Sequence, residues 1–200
     1  MASIPGTYRY EPLSSARDTR LLCLNPGRDD NILTGSLRRI SLDVDPCTYE
    51  ALSYEWGDPT RKHSIDIQGE GAVPITESLA RALIDLRNEV GEARLLWVDG
   101  LCINQDDITE RQQQVAMMTD IYCKAVRVIS YIGPETNESA AAISFARYLR
   151  AYATSRTGTP DLRLHSYHQL ASLGLPTMND PRWLSFKALM LRAWVCQPTV

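Results

Sequence analysis

The chain has 200 residues, 44% of them hydrophobic and 22% charged, the make-up of a globular domain that buries a proper core rather than of a disordered chain. A formal net charge of −3 excludes a general electrostatic grip on nucleic acid or on an anionic membrane. Five cysteines without a Cys-x-x-Cys pair argue against a disulfide framework and a thiolate zinc site, and no signal-peptide pattern or spanning apolar run of roughly 18 residues is present, so reduced thiols and a cytoplasmic location are expected.

Residues 1–18 are turn-rich and read as an N-terminal extension. Thr19–Leu24, closed by Asn25-Pro26-Gly27, predicts a first short strand. Ser36–Val44 alternates Leu37, Arg39, Ser41 and Asp43 against Arg38, Ile40, Leu42 and Val44, the period of a half-buried strand that Asp45-Pro46 ends. Tyr49–Tyr54 and His63–Ile67 follow as strands. Thr76 offers a helix N-cap and Glu77 complements the helix dipole, so a helix over 77–90 is expected, with Leu79, Leu83, Leu86 and Val90 facing the core and Gly91 stopping it.

Arg94–Val98 has the continuous apolar character of a strand buried on both faces, and a polar turn runs from Asp99 to Asp107. Asp107 with Glu110, or Thr109 with Gln112, has capping-box spacing for the next helix, whose apolar stripe is Val115, Met118, Tyr122 and Ala125. Val126–Ile132 predicts a further strand, stopped by Gly133-Pro134. A helix over 138–152 carries Phe145, Leu149 and Tyr152, residues 153–163 read as a loop, and Asp180 with Pro181 opens a last helix through Trp183, Phe186, Met190 and Trp194. This order predicts an α/β domain: a mainly parallel sheet flanked by helices, with an antiparallel strand addition at the N-terminal end. Strands 94–98 and 126–132 are expected as parallel neighbours joined by a right-handed crossover.

In such sheets working residues gather beyond the carboxyl ends of the strands. Two segments qualify: Glu55-Trp56-Gly57-Asp58-Pro59, and the stretch from Asp99 to Asp107 with its carboxylates, amides and thiol. Each residue there has a second, purely structural reading. Trp56 and Gly57 also fit a tight turn with an aromatic plug. Asp99 is either an active-site carboxylate or a cap on its turn. Asn104 and Gln105 fit braces within the loop, Glu110 a capping-box partner, and Arg111 one half of a surface ion pair. Cys102 with His63, His165 or His168 could form a thiol–base pair, although a small buried residue accounts for it better. His165-x-x-His168 lacks a third ligand, so no metal is expected.

The strings YEALSYEWGDP, LLWVDGLCINQDDITERQQQVAMMTDIY and LRAWVCQ resemble, in order, the three motif blocks of the fungal heterokaryon-incompatibility (HET) domain. The likeness runs from about Tyr8 to Gln197 and marks residues 19–197 as the domain, with 198–200 as a truncated or divergent tail. It singles out Tyr54, Trp56, Gly57, Asp99, Cys102, Asn104, Gln105, Asp107, Glu110, Arg111, Arg192, Trp194 and Gln197 as motif residues. The resemblance implies non-self recognition and programmed cell death in a filamentous fungus, with a protein partner or self-association and without a nucleic-acid or membrane-spanning role. HET domains are remotely similar to TIR domains, some of which cleave NAD with a helical glutamate. The third HET block usually ends in Gln-Glu, and here Gln197 is followed by Pro198. Proline supplies neither a base nor a negative charge. No cofactor is therefore expected and NAD enters only as a conceivable substrate, with Asp99 and Glu110 the remaining catalytic candidates.

Overall fold

The computed structural model describes residues 6–28, 32–44, 48–154, 174–177 and 179–192, and the chain divides into two compact units, 1–133 and 134–200. The first unit holds strands β1 (Asp18–Leu24), β2 (Thr34–Ser41), β3 (Glu50–Tyr54), β4 (His63–Ile67), β5 (Gly71–Ile75), β6 (Arg94–Trp97) and β7 (Arg127–Tyr131). Its helices are α1 (Glu77–Leu86), the single turn α2 (Asp99–Cys102) and α3 (Ile108–Lys124). The strands form one mixed seven-stranded sheet in the order β5-β4-β2-β1-β6-β3-β7.

The architecture is α/β, but the antiparallel strands are not an addition to a mainly parallel sheet. β1 stands in the middle, antiparallel to both β2 and β6, while β3 runs parallel to β6 and to β7. Strands β6 and β7 are parallel to each other yet are not neighbours, contrary to the expectation, because β3 lies between them. The cause is occupancy. Leu22 to Leu24 of β1 already pair with Leu96 to Arg94 of β6, so the chain leaving α3 finds its open edge on β3. Glu50 ties these strands from the side, binding Arg94 of β6 and Arg127 of β7, and these guanidinium groups hold its carboxyl below the usual glutamate range.

β5 was not legible in the sequence because Gly71 and Pro74 interrupt its apolar run; it pairs antiparallel with β4 across a turn in which Gly69 has φ +77°. Pro74 is tolerated because β5 is an edge strand. Helix α1 starts at the Thr76 cap, whose hydroxyl accepts from the Leu79 N–H, and buries Leu79, Ala80, Ala82 and Leu83. It ends at Leu86 rather than at 90, and Val90 is exposed. Helix α3 is rotated from the expected phase: Glu110, Gln114, Met117 and Ile121 are buried, Met118, Tyr122 and Ala125 pack at the margin, and Val115 points outward. The two polar residues turn inward because buried partners wait for them on β1. The core gathers on Leu21, Leu22, Leu24, Leu52, Leu96 and Trp97, all fully enclosed, and burying each such side chain contributes about 1.5–3 kcal/mol.

In the second unit α4 (Ser139–Thr154) and α5 (Pro181–Met190) pack through Phe145, whose ring meets Trp183 edge-on at 4.8 Å and Phe186 at 6.0 Å. Asp180 caps α5 by accepting from the Arg182 N–H, with Pro181 in the first turn. The sequence-predicted loop lies outside the described residues from 155 on, as do His165 and His168. Among the described residues no helix is long and apolar enough to cross a membrane.

Candidate functional site

Because β3 and β6 run parallel, the segments leaving them emerge from the same edge of the sheet. There the Trp56 indole N–H donates to Asp99 Oδ2 at 2.9 Å. The Gly100 backbone N–H donates to Asp99 Oδ1 at 2.7 Å. The Trp56 ring stacks on Tyr54 at 6.4 Å between centroids and stays 40% exposed. Burial holds the Asp99 carboxyl above the usual carboxylate range, and hydrogen bonds from Trp56, Gly100 and Tyr54 pull the other way. Burial, reinforced by the Asp99 charge, likewise raises the Tyr54 phenol. Gly57 sits at φ +63°, a conformation that favours glycine. Gly100 is required for another reason: a Cβ there would stand 2.6 Å from the Tyr54 hydroxyl.

A second cluster lies beneath. Arg20 of β1 forms a forked, buried pair with Glu110 of α3 at 2.6 and 3.1 Å. The same guanidinium donates to the Cys102 and Glu11 carbonyls and lies 5.0 Å over the Tyr10 ring. Glu110 also accepts from the Asn104 backbone N–H at 2.7 Å. It therefore does not complete a capping box with Asp107, because Arg20 and the loop engage its carboxylate. Asp107 alone caps α3, accepting from the Thr109 and Glu110 N–H groups. Further along, the Thr19 hydroxyl donates to Gln114 Oε1 at 2.7 Å and accepts from the Trp97 indole at 3.1 Å. Gln114 in turn donates to the Asp18 carbonyl.

Gln105 donates to the Asp99 carbonyl at 2.8 Å, and Asn104 Oδ1 accepts from the Asp106 N–H, so both amides brace the loop. Cys102 is fully buried, accepts from the Val98 N–H, and has its thiol pushed up to about 12 by burial. His63 cannot serve as its base: it lies exposed against Glu77, Nε2 to Oε2 at 2.6 Å. Arg111 is exposed and forms no ion pair among the described residues. Arg192 belongs to the second unit, where it donates to the Pro134 carbonyl and the Ser139 hydroxyl and borders an open cleft with Thr136, Ser185 and Leu189. Trp194 and Gln197 lie outside the described residues.

Sequence reasoning missed Arg20, Thr19, Gln114 and Tyr10. One signal was available: a lone arginine between Thr19 and the leucines of a buried strand needs a buried acid. It also missed an open groove beside Asp99. Two shallow clefts meet there and share Arg61, Pro74, Gly100 and Gln105. Tyr8 and Tyr10 wall the larger, and Tyr54 with Trp56 the smaller.

Comparison with known proteins shows what this arrangement is similar to. Residues 49–197 match the model of the family described as heterokaryon incompatibility protein (HET). Heterokaryon incompatibility protein 6, OR allele, of Neurospora crassa is 41% identical over 105 residues, which cover 47% of this chain and 15% of that protein. The chain thus aligns with only a small part of that relative's length. No solved structure matches.

Proposed function

The chain belongs to the heterokaryon incompatibility (HET) family, and from that premise we propose that it is an interaction and signalling module of fungal non-self recognition whose engagement triggers cell death. It works in the cytoplasm through a protein partner or through self-association. The observation that carries this reading is the internal commitment of the second motif block. Glu110 is locked on Arg20, Asp107 on the start of α3, Cys102 within the core, and Asp99 between Trp56 and the Gly100 N–H. These groups hold the shape of one sheet edge, and the surface that this edge displays is left to do the recognising.

The parallel strands support a TIR-like or flavodoxin-like half. Taken in chain order as first, second and third, β3, β6 and β7 lie in the spatial order second-first-third, which is how the flavodoxin-like order begins. That likeness carries no chemistry with it. Pro198 stands where the third HET block usually carries a glutamate, and a proline cannot stabilise a ribosyl cation.

The test is inducible expression of the 200-residue chain in a filamentous fungus, with growth and cellular NAD followed together. Growth arrest with NAD unchanged is the expected result. An absence of arrest overturns the module reading, and arrest preceded by NAD loss replaces it with an enzyme.

A further inference from the structure

We propose that the groove between the Tyr8–Tyr10 pair and the Tyr54–Trp56 pair docks an extended, proline-containing peptide segment of a partner protein, with an acidic residue of that peptide set against Arg61. The proposal rests on the module reading and names the surface and the kind of partner.

Shape decides first between ligand classes. Small-molecule sites enclose most of their ligand. The two clefts here adjoin side by side along the surface, and one wall is an indole left 40% exposed. A chain laid across them fits better than an enclosed molecule. The walls then say which kind of chain. Each cleft carries an aromatic pair, Tyr8 edge-on to Tyr10 at 5.0 Å and Tyr54 stacked with Trp56. Grooves walled by aromatic side chains take proline-rich segments, whose extended helix is already formed and loses little entropy on docking.

Addition of a peptide strand to β5 is disfavoured by the edge itself. Ala72 points its backbone groups outward, donating to the Gly6 carbonyl and accepting from the Tyr8 N–H, so Pro74, two residues on, occupies the next outward position. A proline there has no N–H to offer an added strand. A polyproline-type peptide instead needs donors for its unpaired carbonyls, and the groove has them. The Arg61 guanidinium lines both clefts and has no hydrogen bond or ion pair among the described residues. The Asn104 side chain accepts from the Asp106 N–H through its oxygen, which leaves its amide nitrogen as a donor. Charge complementarity supplies the remaining requirement. The carboxylate that lines the same cleft is Asp106, which forms no ion pair with Arg61 among the described residues. Asp99 is held by Trp56 and Gly100, so the Arg61 guanidinium is left to meet a carboxylate from outside.

The experiment is selection of phage-displayed random peptides of about ten residues, about 33 Å when extended, on the immobilised full chain, followed by titration of one synthesised winner. Enrichment of proline together with aspartate or glutamate is expected. Arg61→Glu should weaken the winner at least about tenfold, and changing the peptide's acid to lysine should restore binding to that variant. Arg61 is exposed, so the variant will fold. No enrichment, winners indifferent to Arg61→Glu, or winners that map to β5 as an added strand each overturn the proposal. Growth arrest by the chain without any selected peptide removes the groove and leaves the module reading standing; loss of arrest removes the module reading itself.

Discussion

Removing Arg20 would leave the Glu110 carboxylate inside the protein with the Asn104 N–H as its remaining partner, and would free the Cys102 and Glu11 carbonyls that the guanidinium now binds. Breaking a buried pair from one side costs about 3–5 kcal/mol, whereas exchanging both partners for apolar groups is often close to neutral. Arg20→Met should therefore lower the free energy of unfolding by about that amount, and Arg20→Met with Glu110→Leu should recover a large part of it. Urea denaturation checks both, and a single variant as stable as the parent would show that the pair is idle. Residues of this kind define the limit of what the sequence displayed. Asp107 was legible as one of two possible caps because the rule is local, and Cys102 as a small buried residue because no cysteine-protease signature surrounds it. The partner of Glu110 was not legible, because Arg20 is 90 positions away and only the sheet brings the two together.

The elements that carry the motif blocks depend on elements outside them. The family match begins at residue 49, yet β1 and β2 lie earlier in the chain and occupy the middle of the sheet, between β4 and β6. Without them the β4–β5 hairpin loses its connection to β6, and Leu21, Leu22 and Leu24 leave the core. A chain started at residue 49 should fail to fold its sheet cooperatively, while one started at Gly6 should keep the cooperative transition of the first unit; circular dichroism on heating distinguishes them, and an undiminished sheet transition in the shorter chain would contradict the topology described. Most strands were visible from alternation and turn residues. β5 was hidden by its glycine and proline, and the phase of α3 by the inward turn of Glu110 and Gln114, since periodicity counts apolar residues and cannot see a polar one that has found a partner. The place of β7 was misread for a different reason: strand order depends on which edges are already taken.

For the whole molecule, the hydrogen bonds of the block from Asp99 to Arg111 maintain a shape, and the proposed signalling rests on that shape. Asp99 separates this from an enzyme more sharply than any other residue, since among the described residues it is the carboxylic acid whose ionisation the fold resists. An acid whose folded-state pKa is raised makes the folded protein hold its proton more tightly. Its ionised form therefore subtracts stability at neutral pH, and that cost is lifted as the pH falls through the raised value. Asp99→Asn removes the charge and keeps an oxygen for the Trp56 indole, but its amide nitrogen cannot accept from the Gly100 N–H, so the two effects oppose each other and the variant should melt close to the parent at neutral pH. Inducible expression of Asp99→Asn beside the parent chain, with the melting temperature of each, is the most direct measurement. A melting temperature close to the parent's and undiminished growth arrest are expected; an Asp99→Asn chain that melts like the parent yet no longer arrests growth would show that Asp99 does chemistry rather than hold a shape.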